Sequence, residues 1–283
     1  MPSQTGVPSL SCLWEAAPAL KNDPTILPEN LEKIEGGLNL GLNIASYATN
    51  RELKTKDLVL ASQNDSSNFE QTVRGRLYVA NVRHPGGCQS APRALQNLLN
   101  SAAKELGLRT GVEERKIALS DAKLYEFPIL FMHGRTAFNL TDVERSKLKA
   151  YLDRGGVLFV NSICGSDAFT NSFRRQVELM YPDQKLKPIP GSDPVWTNQF
   201  GGFDLKQVEI RLKSSGAGAD KTSVVKKPVQ MEALTVNGRY AIFFSPIDLS
   251  CALEQYSSAS CPGYSVQDAA KIGLNVILYA VEK

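Results

Sequence analysis

Nearly unbroken apolar runs alternate with helix-spaced apolar stripes along the last two thirds of the chain. LYVANV (residues 77–82), FPILFM (127–132), VLFV (157–160) and YAIFFS (240–245) predict strands covered on both faces, since a strand with one wet face alternates apolar and polar positions instead. Between them lie helix signals. Leu95, Leu98, Leu99, Ala102 and Leu106 share one helical face behind Pro92 and stop at Gly107. Thr141 with Glu144 spells a capping box ahead of Leu148 and Leu152, and Gly155-Gly156 closes that helix. Phe169, Phe173, Val177 and Met180 continue the pattern behind a cap at Asp167 and end at Tyr181-Pro182. A last stripe, Val266, Ala269, Gly273, Val276 and Ala280, follows Ser265 and Asp268. This alternation predicts a doubly wound α/β domain with a mostly parallel sheet over residues 75–283. Residues 183–238, with Pro188, Pro190, Pro194 and the SSGAGAD stretch at 214–220, read as less regular.

The front of the chain has a different pattern. Residues 1–27 show no sustained period and read as a lead-in; Leu31, Ile34, Leu38, Leu42 and Ala45 then recur at helical spacing behind Pro28, and residues 54–74 read as a polar linker. GLNIASYA at 41–48 returns as GLNVILYA at 273–280, and LSCLWE at 10–15 returns as LSCALE at 249–254, in the same order. Residues 1–53 therefore read as an N-terminal helical segment resembling the terminal element of a preceding domain copy, in a longer protein or as the relic of a duplication. Two unrelated amphipathic helices are the alternative.

Composition narrows the function classes. Thirty-two Lys and Arg stand against 29 Asp and Glu, a net charge of +3, with no basic run carrying interleaved aromatics, which argues against a nucleic-acid partner. No apolar run reaches membrane-spanning length, and MPSQTGVPSLSC lacks the basic start and apolar core of a signal peptide. The five cysteines, Cys12, Cys88, Cys164, Cys251 and Cys261, contain no CxxC pair and leave the redox compartment open.

Several stretches together resemble one bacterial family. VRHPGG (82–87), FMHGRTAFNLTDVE (131–144), LDRGGVLFVNSICGSDAF (152–169), FRRQVELMYPDQKLKPIP (173–190), SPIDLSCALE (245–254) and the closing GLNVILYA are similar, in order, to the domain-of-unknown-function family numbered 4159. The resemblance implies a class I glutamine amidotransferase-like, flavodoxin-like fold, and a place in large exported or envelope-associated bacterial proteins. The family has no assigned activity. Where its members carry a His-Pro pair, this chain has Asp193-Pro194.

In an open α/β sheet, ligands bind beyond the carboxyl ends of the strands. The strand ends here deliver Arg83, His84 and Cys88; His133 and Arg135; Asn161, Ser162 and Cys164; and Asp248, Cys251 and Glu254. Cys164, in a strand-to-helix turn, is the candidate nucleophile, with His133 or His84 as base. The turn is not a nucleophile elbow, because Ser162 and Ser166 stand where glycines belong. Arg83, Gly86, Gly87, Arg135, Ser162 and Asp248 are the candidate ligand-binding residues, the glycines admitting close backbone approach. Either histidine could instead pack a turn, and Cys164 could be a small buried side chain. Cys251 and Cys261 are a candidate disulfide pair. His84, Cys88, His133, Cys164, Asp248 and Cys251 could supply metal ligands, but they have no characteristic ligand spacing, so neither metal nor cofactor is assigned. The reading is a binding module for a small ligand or protein partner. A cysteine-dependent hydrolase or amidotransferase-like enzyme, and a purely structural interaction domain, are the alternatives.

Overall fold

The computed structural model describes residues 75–111, 115–213, 222–254 and 262–282. The lead-in, helix and linker expected over residues 1–74, the 214–220 stretch, and Cys12, Trp14 and Cys261 lie outside the described residues. In chain order, β1 (Val79–Arg83) leads through α1 (Ala94–Leu106) to β2 (Arg115–Ala118), and β3 (Ile129–Gly134) leads through α2 (Asp142–Asp153) to β4 (Val157–Ser162). After α3 (Asp167–Met180) come the two-residue β5 (Lys187–Pro188), then β6 (Val208–Lys213), β7 (Thr222–Lys227), β8 (Glu232–Val236) and β9 (Arg239–Ser245). A short α4 (Ser250–Leu253), β10 (Gly263–Tyr264) and the long α5 (Val266–Glu282) follow.

Seven strands form one mixed, mostly parallel sheet in the order β2-β1-β3-β4-β9-β8-β5. The first five run parallel, and β8 and β5 extend the far side by antiparallel pairing. Successive strand residues enter opposite cores, as a period of two requires. Val79, Ile129, Phe131, Val157, Phe159 and Phe243 pack with α1, α4 and α5. Their neighbours Ala80, Leu130, Met132, Leu158, Val160, Ile242 and Phe244 pack with α2 and α3. Both faces are dry, which explains why these strands read as apolar runs. Val208, Ile210 and Tyr264 of a second, three-stranded antiparallel sheet, ordered β10-β6-β7, join the first of these cores.

The helix boundaries follow the local chemistry. Gly107 ends α1 in a left-handed conformation, with φ 64°. Thr141 and Glu144 form the reciprocal capping box of α2. At α3 the cap is Ser166, whose hydroxyl accepts from Phe169 N, and Asp167 occupies the first turn instead. Asp193 caps the turn Pro194–Trp196 and accepts a hydrogen bond from Tyr240 Oη at 2.7 Å. Within α5, Asn275 donates to Val195 O and Phe203 O and accepts from Phe203 N, tying the helix to the irregular 195–203 loop.

Two results of this topology position the site. The chain winds from β1 outward to β2 and then returns to β3, so direction reverses between β1 and β3. Strands β4 and β9 are hydrogen-bonded neighbours, with Leu158 opposite Ile242, although α3 and β5–β8 separate them in the chain. The loops that follow β4 and β9 are therefore brought side by side.

Candidate functional site

Three strands carry a polar residue at or next to the last position after an apolar run, and these residues fall in register. His133 of β3 lies opposite Asn161 of β4, and Asn161 lies opposite Ser245 of β9. All three are fully buried, so each must satisfy its polar atoms within the protein. Asn161 Oδ1 accepts from Leu249 N and Ser250 N at 3.2 and 3.0 Å, while its Nδ2 donates to Ile247 O at 2.8 Å. Ser245 Oγ donates to Ile247 O at 2.6 Å. His133 reaches Ser250 Oγ with Nδ1 and Cys88 O with Nε2, at 3.0 and 2.9 Å. This row fixes the segment from Ile247 to Ser250 against the sheet edge.

The histidines are committed to that packing. Because Cys88 O can only accept, His133 carries its proton on Nε2, and its Nδ1 accepts from the Ser250 hydroxyl. His84 Nε2 donates to His133 O at 3.0 Å, and its Nδ1 accepts from Gly86 N at 3.0 Å. Burial drives both rings toward the neutral form: His84 is lowered to about 3 and His133 to about 4. The neighbouring His133 adds to the first shift, and Lys116 adds to the second.

The crevice between β1 and β3, where the winding reverses, is filled by the same groups. Gly86 O accepts from Arg135 N and Thr136 N at 2.8 and 3.1 Å. A Cβ on Gly134 would lie 2.3 Å from Gly86 O, and one on Gly86 would lie 2.8 Å from His84 Nδ1. These glycines thus serve the approach of one loop to another. Gly134→Ala is expected to lower the unfolding free energy by about 2–3 kcal/mol, read from the urea midpoint, because its clash is with backbone. Gly87, with φ +86°, makes the turn. Arg83 is partly buried and Arg135 is exposed, while Ser162 Oγ donates to Ser166 O at 2.9 Å.

Beyond β4 and β9 the arrangement differs. Cys164 adopts φ 53° and ψ 25°, a left-handed conformation uncommon for a residue with a Cβ, and Gly165 follows at φ 62°. The Cys164 amide donates to Asp248 Oδ1 at 2.8 Å, and the Cys251 amide donates to Asp248 Oδ2 at 3.1 Å. The two thiols lie 3.6 Å apart. Asp248 is fully buried and both cysteines are partly buried. Burial pushes the Asp248 carboxyl up to about 6 against the opposing effect of the two amides. The neighbour of Cys164 is thus a second thiol and a carboxylate, while His133 faces Cys88 and Ser250.

The family model for the domain of unknown function DUF4159 matches residues 78–281. The chain belongs to this family. No curated protein matches it. In this DUF4159 chain the match spans both helical layers and every strand end just described. Sequence reading named His84, His133, Cys164 and Asp248 as candidates. It assigned no role to Asn161, and it passed over Ser245 and Ser250. The signal for Asn161 and Ser245 was present, a polar residue closing each of two apolar runs, whereas Ser250 acquires its role only through the register of β3, β4 and β9. The proposed partner of Cys251, Cys261, lies outside the described residues.

Proposed function

We propose that this DUF4159 domain is a binding module of a larger bacterial protein, working at the edge beyond β4 and β9 without Cys-His hydrolysis. The order β2-β1-β3-β4-β9 matches the 2-1-3-4-5 order of flavodoxin-like folds and supports that scaffold, which class I glutamine amidotransferase-like domains share. Fold alone ranks no function. The observation that carries the reading is the state of the chain's two histidines, each with both ring nitrogens held by protein groups. A general base needs a nitrogen available to the nucleophile's proton. In this chain the crevice at the winding reversal is packed with side chains and backbone, which directs a ligand or partner to the neighbouring edge.

The test is intact-mass spectrometry of the reduced, chelator-treated full chain after incubation with an activated acyl ester and with a glutamine analogue that alkylates amidotransferase cysteines. The expected result is no stoichiometric adduct at Cys164 beyond that of the denatured control. A rapid adduct confined to Cys164, and lost in His133→Gln or His84→Gln, overturns the reading in favour of a hydrolase or amidotransferase-like enzyme.

A further inference from the structure

We propose that Cys164, Asp248 and Cys251 form a binding site for a thiophilic divalent cation of the zinc class, these three being its ligands among the described residues. The inference rests on the reading that the edge beyond β4 and β9 is the working edge. Of the six side chains that sequence offered as donors, the fold gathers these three, whose ligand atoms all lie within 4.8 Å of one another. Two sulfurs each about 2.3 Å from a tetrahedral zinc stand about 3.8 Å apart. The sulfurs here are separated by 3.6 Å.

The surroundings are those of a built site. The carboxylate is aimed by the amides of the same two cysteines that supply the thiols, so one set of contacts orients all three donors. The Asn161 stitch fixes the loop that carries Asp248, and the left-handed backbone at Cys164 places the turn that carries the other thiol. Backbone strain at a residue with a Cβ persists only where surrounding contacts hold it. Two thiols with one carboxylate favour zinc, cobalt or ferrous iron over magnesium or calcium, which prefer oxygen alone. Among the described residues these three are the donors, and a tetrahedral ion takes one ligand more. Loading the site displaces the thiol protons to solvent, so uptake weakens as pH falls.

The experiment uses the freshly reduced full chain, titrated with Co²⁺ as the spectroscopic probe and then displaced by Zn²⁺ in competition with a chromophoric chelator. Expected are a sulfur-to-cobalt charge-transfer band saturating at about one equivalent, and a loss of zinc affinity of roughly 100-fold or more in Cys251→Ser. Cys164→Gly is the decisive variant. Glycine accepts φ 53° without a Cβ penalty, so this protein should melt no lower than the metal-depleted parent while losing the band. His84→Gln and Cys88→Ser should retain it. Absence of the band, its survival in Cys164→Gly, or formation of only a Cys164–Cys251 disulfide overturns the metal site. Any of these results without a histidine-dependent acyl adduct on Cys164 leaves the binding-module reading standing, whereas a rapid adduct lost in His133→Gln or His84→Gln sinks that reading.

Discussion

Asn161→Ala should lower the unfolding free energy by about 3–5 kcal/mol, a loss well above that of an ordinary core polar substitution. Asn161 serves the Leu249 and Ser250 amides and the Ile247 carbonyl at once, from a position with no solvent exposure. Alanine leaves those groups facing a dry cavity, each costing about 1–3 kcal/mol unless the loop rearranges to reach water. Either response dislodges Asp248 and Cys251. Urea denaturation gives the magnitude, and amide exchange at Leu249 and Ser250 shows whether the loop has lifted. Asn161→Asp, when its carboxyl is protonated, keeps an acceptor for the two amides and an O–H donor for Ile247 O, so an intermediate loss is expected at low pH; ionised, it loses that donor and buries a charge, and the loss grows. A loss below about 1 kcal/mol for Asn161→Ala, with amide protection intact, would show that the loop is held by something else.

Acid should weaken the fold earlier than ordinary carboxylate protonation would. Both histidines titrate near 6.5 when exposed, and in the fold they fall to about 3 and about 4. Between those limits the unfolded chain binds more protons than the folded one, so stability is complete above pH 6.5 and drains as pH falls. Each histidine contributes a slope of about 1.4 kcal/mol per pH unit. Asp248 acts in the other direction. Its carboxyl is raised from 3.8 to about 6, so below pH 6 the folded state gains a proton first and recovers about one histidine's share. The net expectation is a loss of about 3 kcal/mol between pH 7 and pH 4.5, measured by chemical denaturation in the presence of a chelator. His84→Gln should remove one histidine's slope, and Asp248→Asn should steepen the decline. A flat profile from pH 7 to 5 would contradict the buried neutral state of both rings.

Those rings also mark where the sequence was informative and where it was not. Parallel strands covered on both sides are apolar throughout, so β1, β3, β4 and β9 were legible, as were the caps of α2 and the Gly107 stop of α1. Strand β2 has only four residues, RKIA, with two of them charged, and its pairing with β1 outweighs its composition. The region read as less regular holds β5 to β8, because half-exposed antiparallel strands such as TSVVKK lack the buried apolar signature. At the site, the polar strand ends were visible as letters. Their partners were not. Cys164 invites pairing with a histidine because both histidines of the chain follow strand ends on the same edge, yet register turns His133 toward Ser250 and Cys88. Cys251 meets Cys164 because β9, arriving after a long excursion, inserts beside β4. No local spacing rule reports that neighbour relation.

That excursion gives the two thiols a mechanical meaning. They stand 87 positions apart in the chain, so any bond across them, through an ion or directly, closes a loop containing α3 and five successive strands, β5 to β9. In the chain-entropy account, a closure of that length removes about 4–5 kcal/mol of freedom from the unfolded ensemble. A clasp at the sheet edge would thus govern how long the whole domain persists against proteases, far from any cleavage point, and its lifetime would rise and fall with what the surroundings supply to a single pair of sulfurs.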